Sequence, residues 1–275
     1  MKQMPQRKFV VLKASLLISV LVMAALPAFF YSQTHIEVSE AKIKNKSVAT
    51  SQDQPLHDVD VPNFLAMRDI SARKQAFFGF LKPAIEQENE RLAKLRETVQ
   101  LVALQLENGD SLSNQQLRWL SKLADTYRVD SEQSSRQQLA QLLIKIDQIP
   151  VDLVLVQAAN ESAWGSSRFA RMGLNFFGIW CFKKGCGMVP NARDSGLSHE
   201  VAAFDSVNEV IGHYFLNINS HSAYSMLREI RAQLRAHNLP LQANILATGL
   251  VPYSERGIDY VVEINAMLRH NRRYL

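Results

Sequence analysis

Two cysteines in 275 residues exclude a disulfide scaffold of the small secreted kind. Eleven glycines and nine prolines exclude collagen-like and low-complexity chains. The chain is 47% hydrophobic and 21% charged with a formal net charge of only +5, so wholesale disorder is excluded as well. No internal repeat is present, and neither is a phosphate loop of the G-x-x-x-x-G-K-[ST] type or a G-x-S-x-G nucleophile elbow. His199-Glu200 lacks the second histidine of H-E-x-x-H, and His213 and His221 lie eight apart without neighbouring ligands. The sequence therefore calls for no metal and no cofactor.

Charge is scarce outside the N-terminus. The pI near 9.2 invites a nucleic-acid partner. Yet residues 1–31 hold Lys2, Arg7, Lys8 and Lys13 and no acid, whereas residues 32–150 carry 15 basic and 16 acidic groups and residues 151–275 carry 12 and 10. The body is close to neutral, and a nucleic-acid partner is not expected. Ala14 to Tyr31 is an uncharged run of 18 residues. As a helix it would span about 27 Å, close to the hydrocarbon thickness of a bilayer. Cations before it and none soon after predict a signal-anchor or signal peptide, with the rest of the chain across the membrane. Pro27, Phe29 and Phe30 make a poor cleavage site and favour the anchor.

Residues 32–60 have no aromatic, no glycine and no apolar period, and read as a flexible linker. Residues 61–145 read as a helical segment that packs on or spaces the domain behind it. Phe64, Met67, Ile70, Phe77, Phe78 and Leu81 give one apolar face, expected to break at Pro83. Ile85, Leu92, Leu95, Val99, Val102 and Leu106 give the stripe of a second helix, from Pro83 to about Glu107. Ser113-Asn-Gln-Gln116 predicts a capping box, and Ser134 or Ser135 starts another helix. Residues 146–275 form the last domain, with most of the glycines and histidines, Trp164, Trp180 and both cysteines.

Pro150 is placed to begin a helix whose surface is almost entirely apolar, and Gly165 to end it. Glu161 then falls in the last turn, between Gln157 (i−4) and Trp164 (i+3). A helix C-terminus disfavours an anion, and so does burial against an aromatic ring. Both raise a carboxyl pKa, as a general acid requires. The alternative is a solvated Glu161, or one paired with Arg168. Cys181 and Cys186 flank F-K-K-G, a spacing that suits a disulfide closing a tight loop in an oxidising compartment. A nucleophilic Cys181 served by His199 or His213 is the rival.

The run AANESAWGSSRFARMGLNFFGIW resembles the signature of the glucosaminidase family, glycoside hydrolase family 73: a helix ending ESxWG, a spacer, then N-x-FGI. ATGLVPYSERGIDYVVEI resembles the family's closing motif, a tyrosine-bearing turn that enters the last helix. The resemblance is strong over roughly residues 140–275. It implies a mainly α, lysozyme-like helical domain with a small β-hairpin. Here that domain follows a helical segment and an N-terminal membrane helix. It also implies an endo-β-N-acetylglucosaminidase cutting β-1,4 bonds of peptidoglycan glycan strands, on the periplasmic side of the bacterial inner membrane, anchored or secreted.

By the same resemblance Glu161 matches the general acid. Tyr260 matches the tyrosine of the family's Y-A-x-K-I turn, and Tyr253 is a second candidate because this sequence inserts residues there. Asn175, Phe177 and Gly178 match N-x-FGI along the cleft, and Trp164 and Trp180 are expected to line or support it. No acid aligns with the family's hairpin glutamate. Glu200 is the first choice for a second catalytic carboxylate, then Asp194 and Asp205; without one, the substrate's N-acetyl group could assist. A lytic transglycosylase, an amidase-type cell-wall enzyme and an inactive peptidoglycan-binding module are the alternatives.

Overall fold

A computed structural model describes residues 54–190 and 198–275. The expected membrane segment and most of the linker lie outside them. Among the described residues no helix is long and apolar enough to cross a membrane.

Asp69 opens α1 (Ile70–Glu107) by accepting from Ala72 N, and Asn108-Gly109 ends it. The expected break at Pro83 does not occur. Phe77, Phe78, Leu81, Ala84, Ile85, Leu92, Val99 and Val102 lie buried along one face that runs straight through the proline. Pro83 and Gly79, whose carbonyl it crowds, both sit on the exposed side. One lost solvent-side hydrogen bond is outweighed by burial on the inner face, where each large apolar side chain stabilises by roughly 1.5–3 kcal/mol.

The predicted capping box forms, and the next helix starts from Ser134 in a second one. Ser113 and Gln116 open α2 (Asn114–Thr126), and Ser134 and Gln137 open α3 (Ser135–Lys145). Then comes α4 (Val151–Glu161), with Pro150 one position earlier than expected, at the cap. Every residue from Leu153 to Ala159 in α4 is buried. It lies against α1 and against the last helix, α9 (Ile258–Asn271). Between them run α5 (Arg168–Gly173), α6 (Val207–Ser220), α7 (Ser225–Ala236), α8 (Ala243–Leu246) and a 3-10 turn over Ala247–Tyr253.

The expected hairpin is a three-stranded antiparallel sheet. β1 (Trp180–Cys181) and β2 (Gly187–Met188) both pair with β3 (Glu200–Ala202), which lies between them. Gly187 is required there, since a Cβ would sit 1.9 Å from Val201 O. A mainly helical body with one small sheet fits the expected lysozyme-like class.

Polar side chains fix the loop that feeds α4. Asn89, inside the apolar stripe of α1, donates to Ile149 O (2.8 Å) and accepts from Ile149 N (2.9 Å). Buried Asp147 pairs with Arg235 at 2.8 Å, with Arg96 at 3.7 Å and with buried Arg231 at 3.9 Å. Arg231 also donates to the carbonyls of Ile144, Lys145, Asp147 and Gln148. The start of the central helix is thereby tied to α1 and α7. The last residues of the expected linker are also held: Leu56 N donates to Met172 O (2.7 Å), and His57 Nε2 lies 3.0 Å from Arg171 O.

Candidate active site

Glu161 is the last residue of α4, and the chain turns sharply behind it. Ala163, Trp164 and Gly165 follow with φ of 49°, 59° and 74°. Two consecutive non-glycine residues in the left-handed region cost about 1–3 kcal/mol each and persist only where the surroundings hold them. The Ser162 hydroxyl donates to Ala158 O (2.6 Å) and accepts from Gly165 N (2.8 Å); Ser167 N donates to Ser162 O (3.0 Å). From the other side α1 closes in. Trp164 packs on Phe77 and Phe78, with centroids 5.8 and 5.2 Å away, beneath Lys74 Nζ at 5.0 Å. Phe64 and Phe77 leave no room for a side chain at Gly165. Trp164 thus supports the turn from the α1 side, and the helical segment buttresses the site itself.

Glu161 opens to solvent, but the protein crowding its carboxyl raises its pKa. Hydrogen bonds from Tyr260 and Asn160 oppose that rise. The nearby charge of Glu263 adds to it, and Arg256 subtracts. No ion pair joins Glu161 to Arg168 among the described residues; Arg168 donates instead to Val189 O (3.0 Å). Of the alternatives for Glu161, the Arg168 pair does not form; the side chain is exposed and its carboxyl pKa is raised.

Behind it lies a buried relay. Tyr214 donates to Gln157 Oε1 (2.5 Å), and Gln157 Nε2 donates to the Tyr260 hydroxyl (2.9 Å). Tyr260 is left its own proton for Glu161. Tyr253 stacks on Tyr260 (5.3 Å, 15°) and donates to Phe177 O (3.3 Å). Phe177 stacks in turn on Tyr214 (4.2 Å, 24°). Tyr224 lies 6.0 Å from Tyr253. Burial pushes the Tyr224 hydroxyl up to about 12 and raises Tyr214, Tyr253 and Tyr260 well above their ordinary range. These hydroxyls stay protonated and serve as donors, not bases. Gln157, Tyr214, Tyr224 and Glu263 were not assigned roles from sequence. The available signal was Gln157, a large amide in an otherwise apolar helix one turn before the glutamate.

Two expected site residues are engaged elsewhere. Asn175 is buried; its amide donates to Ile179 O and Ala202 O (2.7 and 2.8 Å) and accepts from Ile179 N (2.9 Å) and Phe177 N (3.4 Å). It ties the backbone of Phe177 and Ile179 to β3 and has nothing left for a substrate. Glu200 is also buried, and both its oxygens accept from loop amides, Gly185 N at 3.0 Å and Gly187 N at 2.9 Å. It ties down the loop that the Cys181–Cys186 disulfide closes. Hence Cys181 is no free nucleophile. Cys181, Cys186 and Glu200 converge within 4.8 Å, but the disulfide leaves them no thiolate for a metal. Asp205 is exposed in the loop before α6, and Asp194 lies outside the described residues. Gly178 has φ 66° and open space where a Cβ would stand. Trp180 is 39% exposed, with its ring 4.0 Å from that of His199.

Residues 137–273 match the glucosaminidase family, described as mannosyl-glycoprotein endo-beta-N-acetylglucosaminidase. Over 204 residues the chain is 33% identical to Protein bax of Escherichia coli (strain K12), spanning 74% of this chain and 71% of that protein. No solved structure matches the chain.

Proposed function

Because the chain belongs to the glucosaminidase family, a family of glycan hydrolases, we propose that it is an endo-β-N-acetylglucosaminidase of peptidoglycan. The observation that carries this is the setting of Glu161: exposed at a helix C-terminus, with a raised pKa and Tyr260 beside its carboxyl. Such a carboxyl stays protonated long enough to donate to a glycosidic oxygen as the oxocarbenium-like transition state forms. Tyr260 beside it would fix its orientation, and Tyr253, stacked on that ring with its proton on Phe177 O, would accept from water or from the acetamido N–H. The exposed face of Trp180 offers a sugar ring an apolar platform, and the open space at Gly178 lets a glycan approach the backbone. The charge pattern around residues 14–31 supports delivery to the periplasmic side of the membrane, where the glycan lies.

The test is digestion of purified peptidoglycan by the full chain, with product ends identified by mass spectrometry. New reducing N-acetylglucosamine ends are expected. Anhydro-sugar ends would point to a transglycosylase and free peptide ends to an amidase. No products, with the protein pelleting on the wall, would leave a binding module.

A further inference from the structure

Glycoside hydrolysis commonly takes two carboxylates. Glu200 is committed to backbone amides and Asp205 stands in the α6 loop. The last helix offers another. Glu263 follows Tyr260 by three residues, one turn further along the same side of α9. Tyr260 reaches the Glu161 carboxyl. Arg256, from the inserted S-E-R-G turn, holds Glu263 at 2.6 Å in a pair whose side chains are 55% and 37% exposed. The closing motif that this run resembles, Y-A-x-K-I, carries a lysine where this chain carries Glu263. An acid and an arginine have thus been placed together beside the general acid.

We propose that Glu263 is the second carboxylate of this site, the general base that activates water, and that Arg256 holds it in the empty cleft. This rests on the glycosidase reading. An exposed ion pair contributes little to stability, so an arriving glycan displaces Arg256 at little cost. Glu263 then takes a proton from water, whose oxygen bonds to the anomeric carbon. The bond from that carbon to the glycosidic oxygen breaks, its electron pair stays on that oxygen, and the oxygen takes the Glu161 proton. Solvent exchange returns both groups to their starting states. No hydrogen bond joins Glu161 to Glu263 among the described residues, and Tyr260 lies next to both along the site. With Glu263 acting as base and not as nucleophile, the product forms with inverted configuration. The charges facing Glu161 support the arrangement: Glu263 raises its pKa, Arg256 lowers it, and Asn160 and Tyr260 hydrogen-bond to it, with Tyr214, Tyr224 and Tyr253 neutral around it.

The experiment compares the full chain with Glu263→Gln, Glu263→Asp and Arg256→Gln on purified peptidoglycan over a range of pH, with thermal unfolding as the control for folding. Glu263→Gln should lower kcat about 10²–10⁴-fold with KM little changed. Its acid limb in kcat/KM should vanish and its alkaline limb move to lower pH. Glu263→Asp should recover part of the rate, and added azide should yield an α-glycosyl azide with Glu263→Gln. Arg256→Gln should stay active, with its alkaline limb moved to higher pH. A folded Glu263→Gln that keeps its acid limb overturns the proposal, whether or not its rate falls. No cleavage by the unaltered chain sinks the glycosidase reading, and the proposal with it; an active chain with an indifferent Glu263→Gln sinks the proposal alone.

Discussion

Replacing Gly165 by alanine separates two costs that the turn behind Glu161 imposes together. The first is conformational: φ of 74° costs an L-residue roughly 1–2 kcal/mol. The second is steric. A Cβ on Gly165 would lie 2.4 and 2.8 Å from Phe64 Cδ2 and Cε2 and 3.1 Å from Phe77 Cδ2. Both rings are fully buried, so overpacking adds about 1–3 kcal/mol. Gly178 is the internal control, with φ of 66° and nothing within 4 Å of its Cβ position. Gly165→Ala should therefore lose about 2–5 kcal/mol, and Gly178→Ala only the conformational 1–2. Urea denaturation of the two variants and the parent gives the comparison through the transition midpoints, provided the slopes match. Phe77 also supports Trp164, so Gly165→Ala should lower kcat on peptidoglycan beyond any loss of folded protein. Equal losses at the two glycines would refute the claim that α1 buttresses the turn behind Glu161.

Gln157→Leu should cost about 2–4 kcal/mol, because the Tyr214 hydroxyl loses its acceptor and Tyr260 a donor in a dry site; a double-mutant cycle with Tyr214→Phe in urea checks that the loss is shared. Asp147→Asn leaves buried Arg231 without its counter-charge and should destabilise by about 3–5 kcal/mol. In the parent, burial pushes the Asp147 carboxyl up, but the Arg235 hydrogen bond and the Arg231, Arg96 and Arg235 charges outweigh it and hold the pKa low. Its contribution is thus fully present above the unfolded value near 3.8 and lost as pH falls through the lower folded value, a slope that acid unfolding curves should show weakened in Asp147→Asn. Cys181→Ser should lower stability by about 2 kcal/mol while glycan cleavage persists, which reducing-agent titration of the unfolding midpoint also tests.

What the sequence shows plainly is local. Serine caps, the apolar surface of α4, the placement of Glu161 in its last turn and the close cysteine pair are each written in a few neighbouring residues, and all appear in the structure. Pro83 misleads because its cost is local whereas the burial that overrides it comes from α3, α4 and α6 packed on α1. Asn175 and Glu200 mislead for a related reason. A polar residue in a motif looks available for a ligand until the backbone amides and carbonyls that use it are in place. The relay from Tyr214 through Gln157 to Tyr260 joins positions 57 and 103 residues apart in sequence, and no spacing pattern announces it. The role proposed for Glu263 is hidden by its appearance as a solvated helix residue paired seven positions back with Arg256.

The most direct measurement is the pH dependence of kcat/KM for peptidoglycan cleavage, taken with the parent chain and with Glu161→Gln. The proposed mechanism requires Glu161 to be protonated before each turnover, and its pKa is raised above the ordinary 4.5. The parent should lose rate on an alkaline limb that lies above that value. The Gln variant should be slower by about 10²–10⁴-fold and should show no such limb. An unchanged limb in Glu161→Gln, or a parent limb at the ordinary carboxyl value, would contradict the assignment of Glu161 as the general acid.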